Sequence, residues 1–243
     1  MIDKDKDAGF VFYLALLPIV AALVLAPRLE PQPISQSLES TLNARDLYYE
    51  KSAPPPGLKW RILLRDAQGA YRSTSIDSLF QNNDRVRLEV ESNTAGFLYL
   101  LQEGSDSTWD ILFPSSEIRD NDNHLEPGRP VRIPRDQDFA FDQTPGQESL
   151  FVVLSPNQEP DLERLLNLVR SQDGKIAQKE EAPSLFKTIS TEINAGLASR
   201  NLKVYQSSGA DAPHDAQNAV YAVNTNLHEG RIISKLLLNH KRE

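Results

Sequence analysis

Hydrophobic residues are spaced in three ways along this chain, and each spacing predicts a different kind of element. From Ala8 to Pro27 no side chain carries a charge: AGFVFYLALLPIVAALVLAP. A helical run of that length spans roughly the 30 Å of a bilayer's hydrocarbon core. It lacks the polar stripe of a helix buried in a soluble core, and membrane helices tolerate a kink such as Pro18 would make. Residues 1–27 therefore predict an N-terminal hydrophobic helix, either an uncleaved anchor or a signal segment. The run is longer than the apolar region of a signal, usually about 7–15 residues, and Lys4 and Lys6 are outnumbered by Asp3, Asp5 and Asp7, which favours the anchor. Val20-Ala21-Ala22 would suit a signal peptidase and favours the alternative, secretion after cleavage. Either way residues 58–243 are expected outside the cytoplasm, in the periplasm or at the cell surface, with inner-membrane anchoring in the first case. Lys4 and Lys6 against Arg28 encode no clear orientation.

Residues 28–57 read as a linker, because Pro31, Pro33 and Pro54-Pro55-Pro56-Gly57 favour extended backbone and cannot continue a helix. Between those prolines Ile34, Leu38 and Leu42 recur at helical spacing and predict a short helix over about Ser37–Tyr48. Beyond Leu58 the period becomes two. Val86, Leu88 and Val90 alternate with Arg87, Glu89 and Glu91, the pattern of a strand with one wet face. Gly96–Leu101 and Phe151–Leu154 are apolar on both faces and predict strands inside a sheet. Further strands are expected at Lys59–Arg65, Trp109–Phe113, Val131–Ile133, Phe139–Phe141, Leu202–Tyr205, Ala219–Asn224 and Ile232–Leu238. The stretch Ser115–Arg129 reads as a long polar loop. Two helices are expected after Ser155: one opens at Pro160, with Leu162, Leu165, Leu166 and Val169 on one face. The other carries Phe186, Ile189, Ile193 and Leu197, after a charged connector at Asp173–Glu181. The fold class is mainly β (α+β): an antiparallel, sandwich-like core with two packed helices.

Composition narrows the possible chemistry. With 34 acidic against 26 basic residues the formal net charge is −8, and no basic run supplies a nucleic-acid surface. Cysteine is absent, which removes disulfides, thiolate catalysis, Cys-ligated zinc and a lipid-bearing N-terminal Cys.

The sequence also carries an ordered set of motifs. Phe80-Gln81-Asn82-Asn83-Asp84-Arg85-Val86 is followed by Gly96–Leu101 and Leu112-Phe113-Pro114. Asn123, Leu125, Gly128, Ile133-Pro134 and Pro145-Gly146-Gln147-Glu148 come next. Over about residues 78–156 this order resembles an uncharacterised bacterial family, domain of unknown function 4384, and the closing strand ending at His240 is similar too. Asn83 stands where the family usually has Gly before the Asp; Asn also tolerates positive φ. The resemblance implies a β-rich, exported or envelope-associated module, in some members fused to signalling or protease domains. It implies no activity and no catalytic residue.

Candidate chemistry is sparse. The chain has no nucleophile elbow, zinc-protease helix motif, phosphate loop or dinucleotide fingerprint. The four histidines, His124, His214, His228 and His240, fall in predicted loops or at the chain's end. Asp120–Glu126 places oxygens at alternate positions but lacks the glycine and the closing Glu of a calcium loop, so a solvated loop is expected. Asp136 and Asp138, flanking a short strand, are expected to face water. Trp60, Trp109 and Tyr99 could form a sugar-binding platform, but on alternating strands they are expected in the core.

The expected function is therefore a non-catalytic, envelope-associated interaction or scaffold module, with no cofactor or metal. Its partner would be another envelope protein or a surface polymer, apart from the membrane itself through residues 8–27. Recognition is placed on the loop Ser115–Arg129 and the turn Asp142–Glu148, with Arg119, Asp120, Asp122, His124 and Glu126 as the candidate contacts. The rivals are an extracytoplasmic hydrolase whose acids or histidines converge in space, and a carbohydrate-binding module.

Overall fold

A computed structural model describes residues 43–104, 109–115, 122–141, 145–170, 181–207, 216–227 and 230–241. The hydrophobic segment 8–27 and residues 28–42 lie outside them. Among the described residues no helix is long and apolar enough to cross a membrane.

In chain order the elements are α1 (Ala44–Tyr48), β1 (Gly57–Arg65), β2 (Tyr71–Thr74), β3 (Leu79–Phe80), β4 (Arg85–Ser92), β5 (Gly96–Glu103) and β6 (Trp109–Phe113). Then follow β7 (His124–Leu125), β8 (Val131–Ile133), β9 (Phe139–Ala140), β10 (Gly146–Ser155), α2 (Pro160–Arg170), α3 (Glu181–Leu197), β11 (Leu202–Gln206), β12 (Val220–Asn224) and β13 (Ile232–His240). One sheet has the order β11-β12-β1-β4-β8, with β2 also on β1 and β9 also on β4; the other has the order β3-β13-β10-β5-β6, with β7 also on β5. Pairing is antiparallel except between β3 and β13, which run parallel.

The two sheets face each other across a core that the period-two pattern dictates. Leu58, Trp60 and Ile62 of β1 and Leu88 and Val90 of β4 point inward, meeting Leu98, Leu100, Val152, Leu154 and Leu236 of the second sheet. The indole N–H of Trp60 donates to Ser234 Oγ at 3.2 Å, so a buried polar hydrogen finds its partner on the opposite sheet.

β5 and β10 read as unbroken apolar runs because they are buried on both sides. Their alternate residues Tyr99, Leu101, Phe151 and Val153 face outward and are covered by Leu162, Leu165 and Leu166 of α2 and by Leu185, Ile189 and Ile193 of α3. Tyr99 ties the layers together: its hydroxyl donates to Glu163 Oε1 at 2.7 Å and accepts from the Glu159 N–H at 3.1 Å, just before α2. Burial, then the bond to the Glu163 carboxylate, push the Tyr99 hydroxyl up to about 12. Gly96 opens β5 where the chain passes close to β10; a Cβ there would sit 2.7 Å from the Ser155 carbonyl oxygen.

On the far side of the first sheet, Ala44 and Tyr48 of α1 pack on Ala219, Tyr221 and Val223. Asn43 caps this helix, its Oδ1 accepting from the Asp46 N–H at 3.0 Å. The last part of the proline-bracketed stretch is thus laid against the sheet, while residues 37–42 of the expected helix lie outside the described residues.

Three strands escaped the sequence reading: β2, β3 and β7. The stretch Ser115–Arg129 is not wholly loop, since β7 returns to pair with the start of β5. Register defines two ends of the sandwich. Gly96 and Ser155 lie at one, and Glu103, Gly146 and His240 at the other.

Candidate functional site

The stretch 122–126 alternates in burial. Asp122, His124 and Glu126 are exposed, while Asn123 and Leu125 are buried. Residues i, i+2 and i+4 of an extended chain lie on one side, so the polar three are displayed together and the other two are anchors. Leu125 enters the sandwich core, opposite Gly96. Asn123 grips β5 twice: its carbonyl accepts from the Leu98 N–H at 2.8 Å, and its side-chain amide donates to the Leu98 carbonyl at 3.1 Å. Asp122 Oδ1 accepts from the His124 N–H at 3.0 Å. The His124 ring stands edge-on to Phe97 with centroids 5.2 Å apart, and Glu126 Oε2 meets Arg129 Nη1 at 3.3 Å. Gly128, at φ +70°, turns the chain so that its N–H reaches the Ser92 carbonyl at 2.7 Å. Of the five candidate contacts, Asp122, His124 and Glu126 share this display; Arg119 and Asp120 lie outside the described residues, as do residues 142–144 of the turn Asp142–Glu148.

A second polar constellation covers the outer face of β1 and β4. Cross-strand register sets Lys59 against Glu91, and Arg61 against Glu89. Lys59 Nζ lies 3.2 Å from Glu91 Oε2, and the Tyr48 hydroxyl donates to Glu91 Oε1 at 3.2 Å. Arg61 Nε reaches Glu89 Oε1 at 2.7 Å, while Arg132 Nε of β8 takes Glu89 Oε2 at 2.8 Å.

Asp138 corrects the sequence reading. It does not face water: its side chain is 5% exposed. Pairing of Phe139 with Val86 carries Asp138 alongside Arg87, the next residue of β4. Arg87 Nε donates to Asp138 Oδ1 at 2.6 Å, Arg65 Nη1 meets Oδ2 at 3.2 Å, and the Tyr71 hydroxyl donates to Oδ1. The Arg87 guanidinium also sits 4.4 Å above the Tyr71 ring and donates to the Arg135 carbonyl at 2.6 Å. Burial by itself would raise the Asp138 carboxyl; the Tyr71 and Arg87 hydrogen bonds and the charges of Arg87 and Arg65 outweigh it, leaving Asp138 below the usual range. Glu89 behaves alike, burial being outweighed by Arg132 and Arg61. Asp136 is exposed, as expected.

Residues 79–158 match the family described as Domain of unknown function (DUF4384). That is the resemblance the ordered motifs carry. No curated protein and no solved structure matches the chain.

The segment matching DUF4384 runs from β3 to just beyond β10 and includes the whole 122–126 display. Within it Asn83 adopts φ +66°, a conformation Asn tolerates better than most residues. Asp84 Oδ2 accepts from the Gln81 N–H at 2.8 Å, closing the turn before β4. Strands outside the segment complete both sheets, since β1 lies between β12 and β4, and β13 lies between β3 and β10.

The remaining sequence candidates are dispersed. Trp60 faces the inter-sheet core and Tyr99 faces the helices, both fully buried, while Trp109 stacks on Phe151 at 4.8 Å. Tyr99 and Trp109 thus join the cluster under the helices, while Trp60 lies on the opposite side of the second sheet, so the three rings form no common platform. His240 is buried with Nε2 2.8 Å from Asn82 Oδ1. It pairs with Gly146 at the start of β10, whereas His124 aligns through Phe97 with Ser155 at the other end. Nine residues of strand, about 30 Å, separate them. His214 and His228 lie outside the described residues.

Proposed function

We propose that this protein is a non-catalytic interaction module of the cell envelope, binding another envelope protein or a surface polymer through the 119–126 region. The observation that supports it most is the alternation at 122–126. Three polar side chains stand exposed on backbone that buried Asn123 and Leu125 fix to β5. Recognition on segments carried by a rigid scaffold loses less conformational freedom on binding than recognition by a free loop. Residues 8–27 would hold the module at the inner membrane, or direct its secretion if cleaved; the spacer would be the part of 28–57 that precedes α1, and the exported domain would be 58–243 together with α1, which packs on it. No cofactor is part of this proposal.

The test replaces Asp122, His124 and Glu126 together by Ser in the full chain, in native envelopes. Photo-crosslinking from Arg129, just beyond the display, then reports partner contact. Loss of the wild-type crosslink at unchanged protein level is expected; an undiminished crosslink moves the interface elsewhere. Fractionation checks the location: the full chain should partition with membranes and a chain beginning at Arg28 should not. Full-length, uncleaved protein in the cytosol contradicts both anchor and signal.

A further inference from the structure

At the end of the sandwich away from the 122–126 display, the two sheets leave a cavity of about 50 Å³ between them. Its wall is mostly carbon, with Ile62 and Leu88 from one sheet, Leu112, Leu150 and Leu238 from the other, and Phe139. Protein interiors are packed with few voids larger than a water molecule, so an opening of this size among inward-pointing residues is a departure. Water would fill it poorly, because each buried water needs two to four polar partners. The polar side chains of the wall are already engaged: Gln102 Nε2 donates to Glu148 Oε2 at 2.8 Å, and Arg87 is held by Asp138. The cavity is not sealed, since Leu112, Phe139 and Ala140 in its wall are each partly exposed.

We infer that this cavity is a binding site for a small apolar group, a short branched aliphatic part of a ligand. An apolar cavity of about 150 Å³ takes benzene; this one, at about 50 Å³, has room for a smaller group, about three or four carbon atoms or a single xenon atom. Apolar sites of this kind take hydrocarbon that fits their shape. The site is independent of the polar display. Gln102 in its wall is six residues along β5 from Gly96, about 20 Å away. Both sheets build it, and Ile62 and Leu238 come from outside the segment matching DUF4384.

Titration of the full chain with xenon, an apolar probe of suitable size, followed by methyl NMR and thermal unfolding, tests this. Saturable shifts are expected at the methyls of Ile62, Leu112 and Leu150, with a rise in melting temperature. Ala140→Leu and Leu150→Phe, which place extra volume in the cavity, should each weaken xenon binding at least tenfold. Absence of saturable shifts at those methyls in the wild-type chain overturns the inference, whatever the variants do. So does undiminished binding in either variant that keeps the wild-type fold by circular dichroism.

Discussion

The sandwich has two outer faces, and they are finished in opposite ways. On the β5–β10 side, Tyr99, Leu101, Phe151 and Val153 form an apolar surface roofed by α2 and α3. On the β1–β4 side the equivalent positions are Lys59, Arg61, Arg87, Glu89 and Glu91, paired across strands and tied to Asp138 and Arg132. The two solutions differ in their energetics. Apolar cover removes carbon from water, at about 25 cal/mol per Å2. An ionic face contributes little per pair when exposed, but a partner left behind in a half-buried pair is costly. The helical side should therefore govern stability at every pH, and the ionic side should govern how stability responds to acid.

The largest effect should come from removing the chain after Gly196. That deletes β11, β12 and β13, and with β13 the neighbour that pairs with nine residues of β10. The product is expected to aggregate or to unfold without cooperativity in calorimetry; a cooperative transition at the wild-type temperature would show that the closing strands are dispensable. Next, Leu165→Ala or Ile189→Ala under the helical roof should cost about 2–4 kcal/mol in denaturant unfolding, the usual range for buried truncations. Asp138→Ala on the ionic face should cost less, about 2 kcal/mol, because Arg65 retains access to water.

Acid separates the faces more sharply. Asp138 and Glu89 have carboxyls below their ordinary range in the folded chain. Their stabilisation is complete above the unfolded values, about pH 4 for Asp and Glu, and is lost as pH falls through the lower folded values. Unfolding measured from pH 6 down to pH 2 should thus show a shallower loss in Asp138→Ala than in wild type. Leu165→Ala should run parallel to wild type. Parallel curves for all three would remove Asp138 from the acid response. The smallest effect belongs to the exposed display: replacing Asp122, His124 and Glu126 by Ser should shift stability by less than about 1 kcal/mol.

The same contrast explains what the sequence made legible. β5 and β10 stand out because burial on two sides requires unbroken apolar runs, and β4 because one ionic and one buried face require strict alternation. Local backbone chemistry was equally readable: α2 begins at Pro160, and Asn83 takes the positive φ its place before Asp84 demanded. What stayed hidden was set by distant partners. Asp138 is adjacent to no basic residue in sequence and gains its three donors only when β9 lies on β4. β3 and β7 are two-residue strands, too short for any period to show. Asn123 masks the alternation at 122–126, since the anchor there is a polar residue buried by its bonds to β5. The parallel pairing of β3 with β13, residues some 160 positions apart, has no local signal at all.

The functional reading depends most directly on that anchoring, which amide hydrogen exchange of the full chain can measure. The Leu98 amide, held by the Asn123 carbonyl, should exchange as slowly as the paired amides of β5, and Asn123→Ala should open it while the centre of β10 stays protected. If instead Leu98 exchanges in wild type as fast as an unpaired loop amide, then Asp122, His124 and Glu126 ride on a loose loop and are not a rigid display.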